Sequence, residues 1–370
     1  AAAAGALYVS AENPMFDNTF GGVQIVEVVV IGINDETDEI QGEPVVKVDD
    51  QQLRMAQGVD GNWYGYFGDD TKISAVTPGA LGTQGITFGT DASPTVAEGD
   101  FNEALSVFNR NAGGVTTIQN PPALSNHNNT DATQGSANTS GQYYAIGQIG
   151  ISTDAWPVIQ TYDLSIETFN VVLEQAGADE VVVLNYNSAD LDDYASLTLD
   201  RNQASQSSEI FLDITDNQLN LDPTGEDIVI FYTEPGSEGV SFVNKTGSIS
   251  VTSYVAYDNS FDENGKLTID NDTAGVNVLE MDATNDDGTA DNLVVFYEAG
   301  ENSGMFSNYD DSDNSNIDVK RDALRGYTAT FEYNDSAQSF VVANDFGVID
   351  MDEASVGDAW NSGEALTVTL

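Results

Sequence analysis

Asp and Asn residues recur at short intervals in three loops of this sequence, and their spacing suits the binding of a divalent cation. Ca²⁺ prefers about six to eight oxygen ligands, which carboxylates, amides and backbone carbonyls around a tight turn can supply. The candidate ligands are Asp216, Asn220, Asp222 and Asp227 in the first loop, Asp282, Asn285, Asp287 and Asp291 in the second, and Asp310, Asp311, Asp313 and Asp318 in the third.

Two interpretations of each loop stay open. Asp and Asn are also the usual residues of solvated turns, and none of the loops has the full EF-hand pattern. Clustered carboxylates, however, repel one another strongly without a counter-cation. We therefore predict that at least one of the three loops holds a structural Ca²⁺ or another divalent cation.

The overall charge excludes several functions. The 370 residues include 61 Asp and Glu against 10 Lys and Arg, which gives a net charge of −51. Such a chain repels phosphate backbones and anionic membranes, so nucleic-acid binding through a basic surface is excluded. The absence of Cys and the single His127 rule out thiol chemistry and multi-His metal sites. Cation binders and enzymes that work with carboxylates alone remain.

Two of the acidic loops belong to an internal repeat. The copies run from Asp216 to Gly239 and from Asp282 to Gly304. In each copy an acidic Asn-x-Asp loop leads into an apolar strand ending in Phe-Tyr, and a Glu/Gly-rich turn follows. A strand–loop unit duplicated within one sandwich produces such a pattern, and so do two homologous modules. The spacing predicts two hairpins within one immunoglobulin-like domain.

The elements that must position these loops are almost entirely β-strands, so we predict an all-β fold of tandem immunoglobulin-like sandwiches. Short Val-, Ile-, Tyr- and Phe-rich runs alternate with Asp/Asn/Gly clusters. Many have period 2, with Tyr327, Phe331 and Tyr333 on one face, as in antiparallel sheets with one buried face. The predicted strands are Gln24–Ile31, Val45–Val48, Trp63–Phe67, Tyr143–Ile151, Tyr162–Phe169, Val181–Tyr186, Ser196–Leu199, Ile210–Ile214, Ile228–Tyr232, Ser248–Tyr254, Lys266–Ile269, Val276–Met281, Leu293–Tyr297, Tyr327–Tyr333, Phe340–Ala343 and Ala365–Leu370.

The domain organisation follows from the strand pattern. We expect an N-terminal sandwich over residues 1–192, a second sandwich over 193–343, and the opening strands of a further domain over 344–370. The first sandwich carries a long low-complexity insertion at about 71–141, with one helix capped by Asp100 and Glu103. The pattern stops within the third unit, so we expect the chain to be the N-terminal portion of a longer protein.

Features of the termini and loops point to an extracellular location. The opening Ala1–Ala6 resembles a terminus left by signal-peptide cleavage, and the longest apolar run is too short to span a membrane. Five sequons permit N-glycosylation, at Asn128, Asn138, Asn244, Asn271 and Asn334. With no Cys, this combination favours a prokaryotic surface protein.

Sugar chemistry is the main alternative. A carboxylate-based glycosidase needs two acidic residues facing a sugar cleft, commonly with aromatic platforms. The segment Trp63–Phe67 and Trp156 can either stack on sugars or belong to the core, and core packing is the more common role of such a strand. A secreted carbohydrate-binding module or carboxylate-based enzyme is therefore the competing hypothesis to a non-enzymatic structural protein.

Several segments resemble surface-layer (S-layer) proteins of ammonia-oxidising archaea, the Thaumarchaeota, in their N-terminal region. The segments that carry the resemblance are Glu12–Phe16, Val26–Val30, Gly42–Pro44, Leu53–Phe67, Trp156–Tyr162, Leu197–Arg201, Ile214–Pro223 and Glu298–Phe306. The family consists of tandem immunoglobulin-like chains that tile the cell as a porous two-dimensional lattice with bound divalent cations. The resemblance implies the same for this chain, with Asp216, Asn220, Asp222 and Asp227 matching the family's Asp-x-x-Leu-Asn-x-Asp-Pro loop.

In such a lattice, the net negative charge of each subunit would act on small ions near the pores. An array of subunits at −51 each sets up a potential of several kT around its pores, which concentrates small cations and excludes anions. The effect reaches roughly 8–10 Å at moderate salt. For an ammonia oxidiser the relevant cation is ammonium, which the resemblance implies. The expected partners are other copies of the chain and small cations, with no nucleic acid and no direct membrane insertion.

Overall fold

The computed structural model describes most of the chain outside the long insertion and the C-terminal segment. The described residues are 6–39, 41–76, 86–87, 115–116, 118–125, 156–157, 159–233, 239–243, 265–273, 275–281, 292–309, 314–334, 336–343, 350–351 and 368–369. Within them the chain is mostly β-strand, in several sheets with few helices, so the predicted all-β class is confirmed.

The strands are numbered in chain order. The first twelve are β1 Ala6–Val9, β2 Thr19–Phe20, β3 Val26–Ile31, β4 Val46–Val48, β5 Gln51–Leu53, β6 Ala56–Gln57, β7 Trp63–Asp69, β8 Ile86–Thr87, β9 Val115–Thr116, β10 Ile159–Tyr162, β11 Thr168–Leu173 and β12 Glu180–Tyr186. The others are β13 Ser196–Leu199, β14 Gln203–Ala204, β15 Leu212–Thr215, β16 Ile228–Tyr232, β17 Gly239–Val243, β18 Leu267–Asp270, β19 Asp272–Thr273, β20 Val276–Asn277, β21 Leu279–Met281, β22 Leu293–Glu298, β23 Met305–Ser307, β24 Ile317–Val319, β25 Thr328–Tyr333, β26 Ser336–Val342, β27 Asp350–Met351 and β28 Val368–Thr369.

Short helices connect some of these strands. Among the described residues, the α-helices are α1 Asp70–Val76 and α2 Ser188–Leu191, and the 3-10 helices are Pro14–Phe16, Asp192–Tyr194 and Asn217–Leu219. Helix α1 was not predicted, although Asp69 marks its start by accepting a hydrogen bond from Lys72 N at 2.9 Å. The helix predicted after Asp100 lies outside the described residues, as do the predicted strands Tyr143–Ile151 and Ser248–Tyr254.

The first pair of sheets surrounds one core. One sheet has the order β1-β3-β7-β10, with β6 beside β7, and the other has the order β2-β12-β11-β4-β5. Alternation along the strands turns Val28, Trp63 and Phe67 of the first sheet towards Val171 and Leu184 of the second. All five side chains are buried, so the two sheets share one apolar interior.

The second pair of sheets follows after α2. Its larger sheet has the order β13-β15-β23-β22-β16-β17, and its smaller sheet has the order β14-β26-β25-β18. The core between them includes Phe231, Phe296, Phe331 and Tyr333. The predicted face of β25 is confirmed, because Phe331 and Tyr333 are fully buried while Glu332 between them is exposed.

The two repeat copies meet in the larger sheet of the second pair. Strand β16 from the first copy pairs antiparallel with β22 from the second, and Ile228 lies opposite Tyr297 while Tyr232 lies opposite Leu293. Each strand therefore begins where the other ends. This register places the acidic loop before β16 beside the Glu/Gly-rich turn after β22.

Two predicted strands are broken by local hydrogen bonds. The run Tyr162–Phe169 is not one strand, because β10 ends at Tyr162 and the Asp163 carboxylate accepts a hydrogen bond from Ser165 N at 3.1 Å, forming a turn. The run Val276–Met281 is split at Val278, whose N–H bonds to the side-chain oxygen of Asn271 at 2.8 Å. Ser196–Leu199 and Ile228–Tyr232 match the prediction residue for residue.

Candidate functional site

The first acidic loop lies between β15 and β16 and is buried. Asp216, Asn220, Asp222 and Asp227, the four predicted ligands, are all at most 3% exposed. Asp216 caps the 3-10 helix that follows it, since its Oδ1 accepts a hydrogen bond from Gln218 N at 2.8 Å. The loop is therefore a folded interior segment and not a solvated turn.

Asp216 makes its second contact with the core of the second sheet pair. The hydroxyl of Tyr333 donates a short hydrogen bond to Asp216 Oδ2 and accepts one from Gly265 N at 3.1 Å. Burial raises the pKa of Asp216 to about 7, although the bonds from Tyr333 and Gln218 favour the ionised form. For Asp216, the loss of hydration raises the pKa more than the two hydrogen bonds lower it.

Asp222 and Asp227 hold the second half of the loop. Asp222 Oδ1 accepts hydrogen bonds from the backbone N–H of Thr224 at 2.8 Å and from its hydroxyl at 2.5 Å. Asp227 Oδ2 accepts from the backbone N–H groups of Leu221, at 2.7 Å, and Asp222, at 3.0 Å. The two carboxylates thus accept backbone hydrogen bonds that a neighbouring strand would accept if this segment belonged to a sheet.

Glu298 completes the cluster from the other repeat copy. Its Oε2 accepts from Asp227 N at 2.9 Å, and its Oε1 accepts from the backbone N–H groups of Ser303, at 2.8 Å, and Gly304, at 3.0 Å. Burial raises the pKa of Glu298 to about 7. Burial, followed by the charges of Glu298 and Asp222, raises the pKa of Asp227 well above its usual range.

The prediction omitted Glu298, and a signal for it was present. The residue opens the Glu/Gly-rich turn of the second repeat copy, and antiparallel pairing of the two Phe-Tyr strands brings this turn to the first acidic loop. Asn302 of the same turn accepts a hydrogen bond at its Oδ1 from Asn220 Nδ2 at 2.8 Å. If the strands of the two repeat copies are paired antiparallel before ligands are chosen, the sequence predicts both Glu298 and Asn302.

The loop Asp216–Asp227 and the turn Glu298–Gly304 also contact the first sheet pair. We call this region of contact between the two sheet pairs the joint. Its backbone contact is Ile25 N to Leu221 O at 3.1 Å. Further hydrogen bonds across the joint run from Asn217 Nδ2 to Thr19 O at 3.1 Å, from Gln218 Nε2 to Ser188 O at 3.2 Å, from Asn302 Nδ2 to Ser10 O at 2.9 Å, and from Asn120 N to Thr224 Oγ1 at 3.2 Å. The last of these comes from the predicted insertion, so part of that insertion supports the loop.

A further carboxylate faces the joint from the first sheet pair. Glu27 accepts a hydrogen bond from the Tyr66 hydroxyl at 2.8 Å, and burial, opposed by that bond, raises its pKa. Tyr66 projects from the opposite face of its sheet to Trp63 and belongs to the same buried cluster as Leu219 and Leu221. Apolar packing and carboxylates therefore lie side by side in the joint.

The fit of this cluster to a divalent cation is incomplete. Within the described part of the chain, no group of three or more acidic or His side chains is arranged to hold a metal ion. Asp227 and Glu298 direct oxygens at backbone N–H groups instead. Two amide oxygens suit a cation, because Asn220 Oδ1 and Gln218 Oε1 are buried and no described residue donates a hydrogen bond to either.

The other two predicted loops lie almost wholly outside the described residues. This applies to Asp282, Asn285, Asp287, Asp291, Asp310, Asp311 and Asp313. Asp318 is described, in β24 opposite Glu280, and its pKa is raised by partial burial and then by the charges of Glu209 and Glu280. A cation in these loops stays a prediction.

The sequons differ in their surroundings. Asn128, Asn138 and Asn244 lie outside the described residues. Asn271 is buried, and its amide donates to Leu279 O at 2.9 Å and accepts from Val278 N and Leu279 N at 2.8 and 2.5 Å. Because the side chain is buried, a glycan on Asn271 Nδ2 would have to displace the residues packed around it. Asn334 lies in the turn between β25 and β26 and donates to Asp192 O at 3.3 Å.

Four of the five aromatic residues of the sugar-binding alternative are interior. Trp63, Tyr66 and Phe67 are fully buried and Trp156 is 7% exposed. The indole N–H groups of Trp63 and Trp156 donate to backbone carbonyls at 3.1 and 2.8 Å. These four rings form core, whereas Tyr64 is partly exposed and donates a hydrogen bond from its hydroxyl to Asp60 Oδ2 at 2.6 Å. His127 lies outside the described residues.

Comparison with known proteins gives no relative: no protein-family model matches the chain, and no curated protein matches its sequence. Among the described residues, no helix is long and apolar enough to cross a membrane.

Proposed function

We propose that this chain is a structural surface-layer protein, without catalytic activity, that assembles outside the cell into a porous, strongly anionic two-dimensional lattice. In this proposal the two sheet pairs are tandem immunoglobulin-like domains of a longer subunit. The observation that carries it is the joint, in which backbone and side-chain hydrogen bonds fix one sheet pair on the other. A lattice subunit needs such a fixed geometry, since a hinge at this position would blur the spacing between copies.

Divalent cations are part of the same proposal. Asp227 and Glu298 are neighbouring buried carboxylates whose pKa values are raised by burial, so this pair needs a proton or another positive charge. A divalent cation supplies that charge above neutral pH, and Asn220 Oδ1 offers it a neutral oxygen. The cation would then stabilise the joint in the manner of any ligand that binds only the folded state.

Calcium titration tests the cation site. Ca²⁺ should raise the melting temperature more at pH 8 than at pH 5.5, because protons occupy the same carboxylates at the lower pH. Asp227→Asn should abolish most of the difference, whereas Asp213→Asn, an exposed carboxylate on β15, should leave it unchanged. An equal calcium shift in the wild-type chain and in Asp227→Asn would exclude the joint as the ion site.

Electron microscopy tests the lattice. The longest purifiable form should give ordered sheets with calcium, and chelation should dissolve them. Single particles under both conditions would refute assembly by this chain.

The anionic lattice would also concentrate small cations such as ammonium, as the resemblance implies. The net charge of −51 per subunit supports this through the potential that it creates near each pore. Ammonium partitioning into sheets should fall when exposed Asp and Glu residues are changed to Asn and Gln. Unchanged partitioning would leave the acidity with a role in solubility alone.

A further inference from the structure

The few positive charges of the chain are unevenly placed. Three of its 10 Lys and Arg residues, Lys320, Arg321 and Arg325, lie within six positions in the segment between β24 and β25. We call residues 320–326 the basic turn. Asp322 lies among them, so three basic residues and one acidic residue give the turn a net charge of +2, a local reversal of sign in a chain at −51.

The backbone of the basic turn is held in place. Ala323 is buried, its N–H bonds to Lys320 O at 3.1 Å, and its carbonyl accepts from Gln206 Nε2 at 2.7 Å. Gly326 N bonds to Val342 O at 2.8 Å. With this anchor, Leu324 stands 50% exposed, and Arg321 and Arg325 on either side of it are exposed as well. The turn therefore presents an apolar tip between two guanidinium groups.

A small cavity in the first sheet pair has the complementary character. It has a volume of about 180 Å³ and lies where β4 and β5 face β10 and β11. Leu164, Ile166 and Phe169 give it an apolar lining, and Asp49 and Asp163 add carboxylates. Hydrogen bonds from Ser165 lower the pKa of Asp163, so its carboxylate is ionised at neutral pH. The cavity is smaller than the roughly 300–1,000 Å³ of small-molecule sites, and its size suits a protein side chain.

We propose that the basic turn of one copy docks into this cavity of a second copy, with Leu324 entering the apolar lining and Arg321 and Arg325 facing Asp49 and Asp163. The proposal rests on the proposed function, since it names a contact of the lattice. Copies at −51 repel each other over most of their surface, so complementary charge favours contact where the sign is reversed. The two surfaces belong to different sheet pairs, so the contact is heterologous, and a heterologous contact extends into an open assembly when its rotation does not close into a ring.

Cysteine cross-linking tests the contact directly, because the chain contains no Cys of its own. Leu324→Cys is mixed with Ile166→Cys under mild oxidation, and in parallel with Val59→Cys. Ile166 and Val59 are matched in exposure, at 58% and 59%. The mixed disulfide with Ile166→Cys should form at least about tenfold faster, a ratio equivalent to roughly 1.4 kcal/mol. Equal rates for the two mixtures would overturn the proposal.

Charge reversal gives a second readout. Arg321→Glu with Arg325→Glu makes the turn negative, and Asp163→Lys with Gln51→Lys makes the cavity positive. Asp49 is left unchanged because its φ of 52° suits Asp better than Lys. Each double variant should fail to self-associate in sedimentation experiments, and an equimolar mixture should associate again, since each turn then meets an oppositely charged cavity.

The matched control is Arg201→Glu with Lys266→Glu, which lowers the net charge by the same amount away from the turn. This control should associate like the wild-type chain. Loss of association in the control to the same extent as in the turn variant would show a net-charge effect and overturn the contact.

The outcomes separate this contact from the proposed function. Ordered sheets without the specific cross-link would leave the lattice intact and remove the contact. The specific cross-link without sheets would support the contact and refute the lattice.

Discussion

Replacing Asp216 by Asn is expected to remove a pH dependence of stability that the wild-type chain shows between about pH 5 and pH 7. Burial raises the pKa of Asp216 to about 7 in the folded chain, whereas an unfolded Asp titrates near about 3.9. The folded state therefore binds more protons than the unfolded state in this interval. The free energy of unfolding must fall as the pH rises through it, and the Asn variant lacks this loss.

The magnitude follows from the size of the pKa shift. A difference of one bound proton corresponds to about 1.4 kcal/mol per pH unit. Since the slope declines close to the folded pKa, the wild-type chain should lose roughly 2–3 kcal/mol relative to Asp216→Asn between pH 5 and pH 7. Asp216 is 1% exposed, so solvent screening does not reduce this value much. Measurements above pH 5 also stay clear of the isoelectric point of about 4.1.

Urea unfolding followed by tryptophan fluorescence, at several values from pH 5 to pH 8, measures the effect. The quantity of interest is the wild-type free energy minus that of Asp216→Asn, because the titration of the other carboxylates cancels in it. Asp213→Asn is the control, since Asp213 is exposed on β15. Parallel wild-type and Asp216→Asn profiles would show that the buried carboxyl does not titrate as argued.

Three further substitutions test the packing. Gly304→Ala should cost about 1–2 kcal/mol in urea unfolding, because Gly304 has a φ of 63° and a Cβ there would lie 3.0 Å from the Phe16 ring; Gly300→Ala, whose Cβ would have no atom within 4 Å, should be nearly neutral. Trp63→Ala should cost about 3–5 kcal/mol, since the ring is fully buried, and sugar titration should leave the wild-type tryptophan fluorescence unchanged. Asn271→Ala should cost about 1–3 kcal/mol, because the N–H and the carbonyl of Leu279 lose their side-chain partner, and mass spectrometry of the natural protein should find Asn271 without a glycan.

The strands were predictable because most of them carry their own pattern. Ile228–Tyr232 is a continuous apolar run between Asp227 and Thr233, and its bounds hold in the structure. The errors arise where a side chain competes for backbone hydrogen bonds. Asp163 ends a strand within a segment of alternating apolar and polar residues, and Asn271 interrupts another strand from several positions away. The periodicity of the sequence indicates which face of a strand is buried. It does not indicate which backbone N–H groups will donate to a side chain instead of to a neighbouring strand.

The candidate site was predictable only within one segment of the chain. The grouping of Asp216, Asn220, Asp222 and Asp227 in one loop is local, so the sequence shows it directly. The repeat contains the information for Glu298, but only through the antiparallel pairing of its two copies. The contacts across the joint have no sequence signal, since they depend on which outer face of the first sheet pair meets the loop.

As the pH rises, the burial of carboxylates and the net charge of the chain both destabilise the joint. A rise in pH ionises Asp216 and Glu298 where water cannot solvate them, and each new charge adds to the self-repulsion of a chain already at −51. A divalent cation would relieve both effects, because it offsets the buried carboxylates and lowers the net charge. In the proposed lattice the same joint is repeated in every subunit, so loss of the cation would alter the geometry of all copies at once. Chelation is therefore expected to dissolve the sheets as a whole.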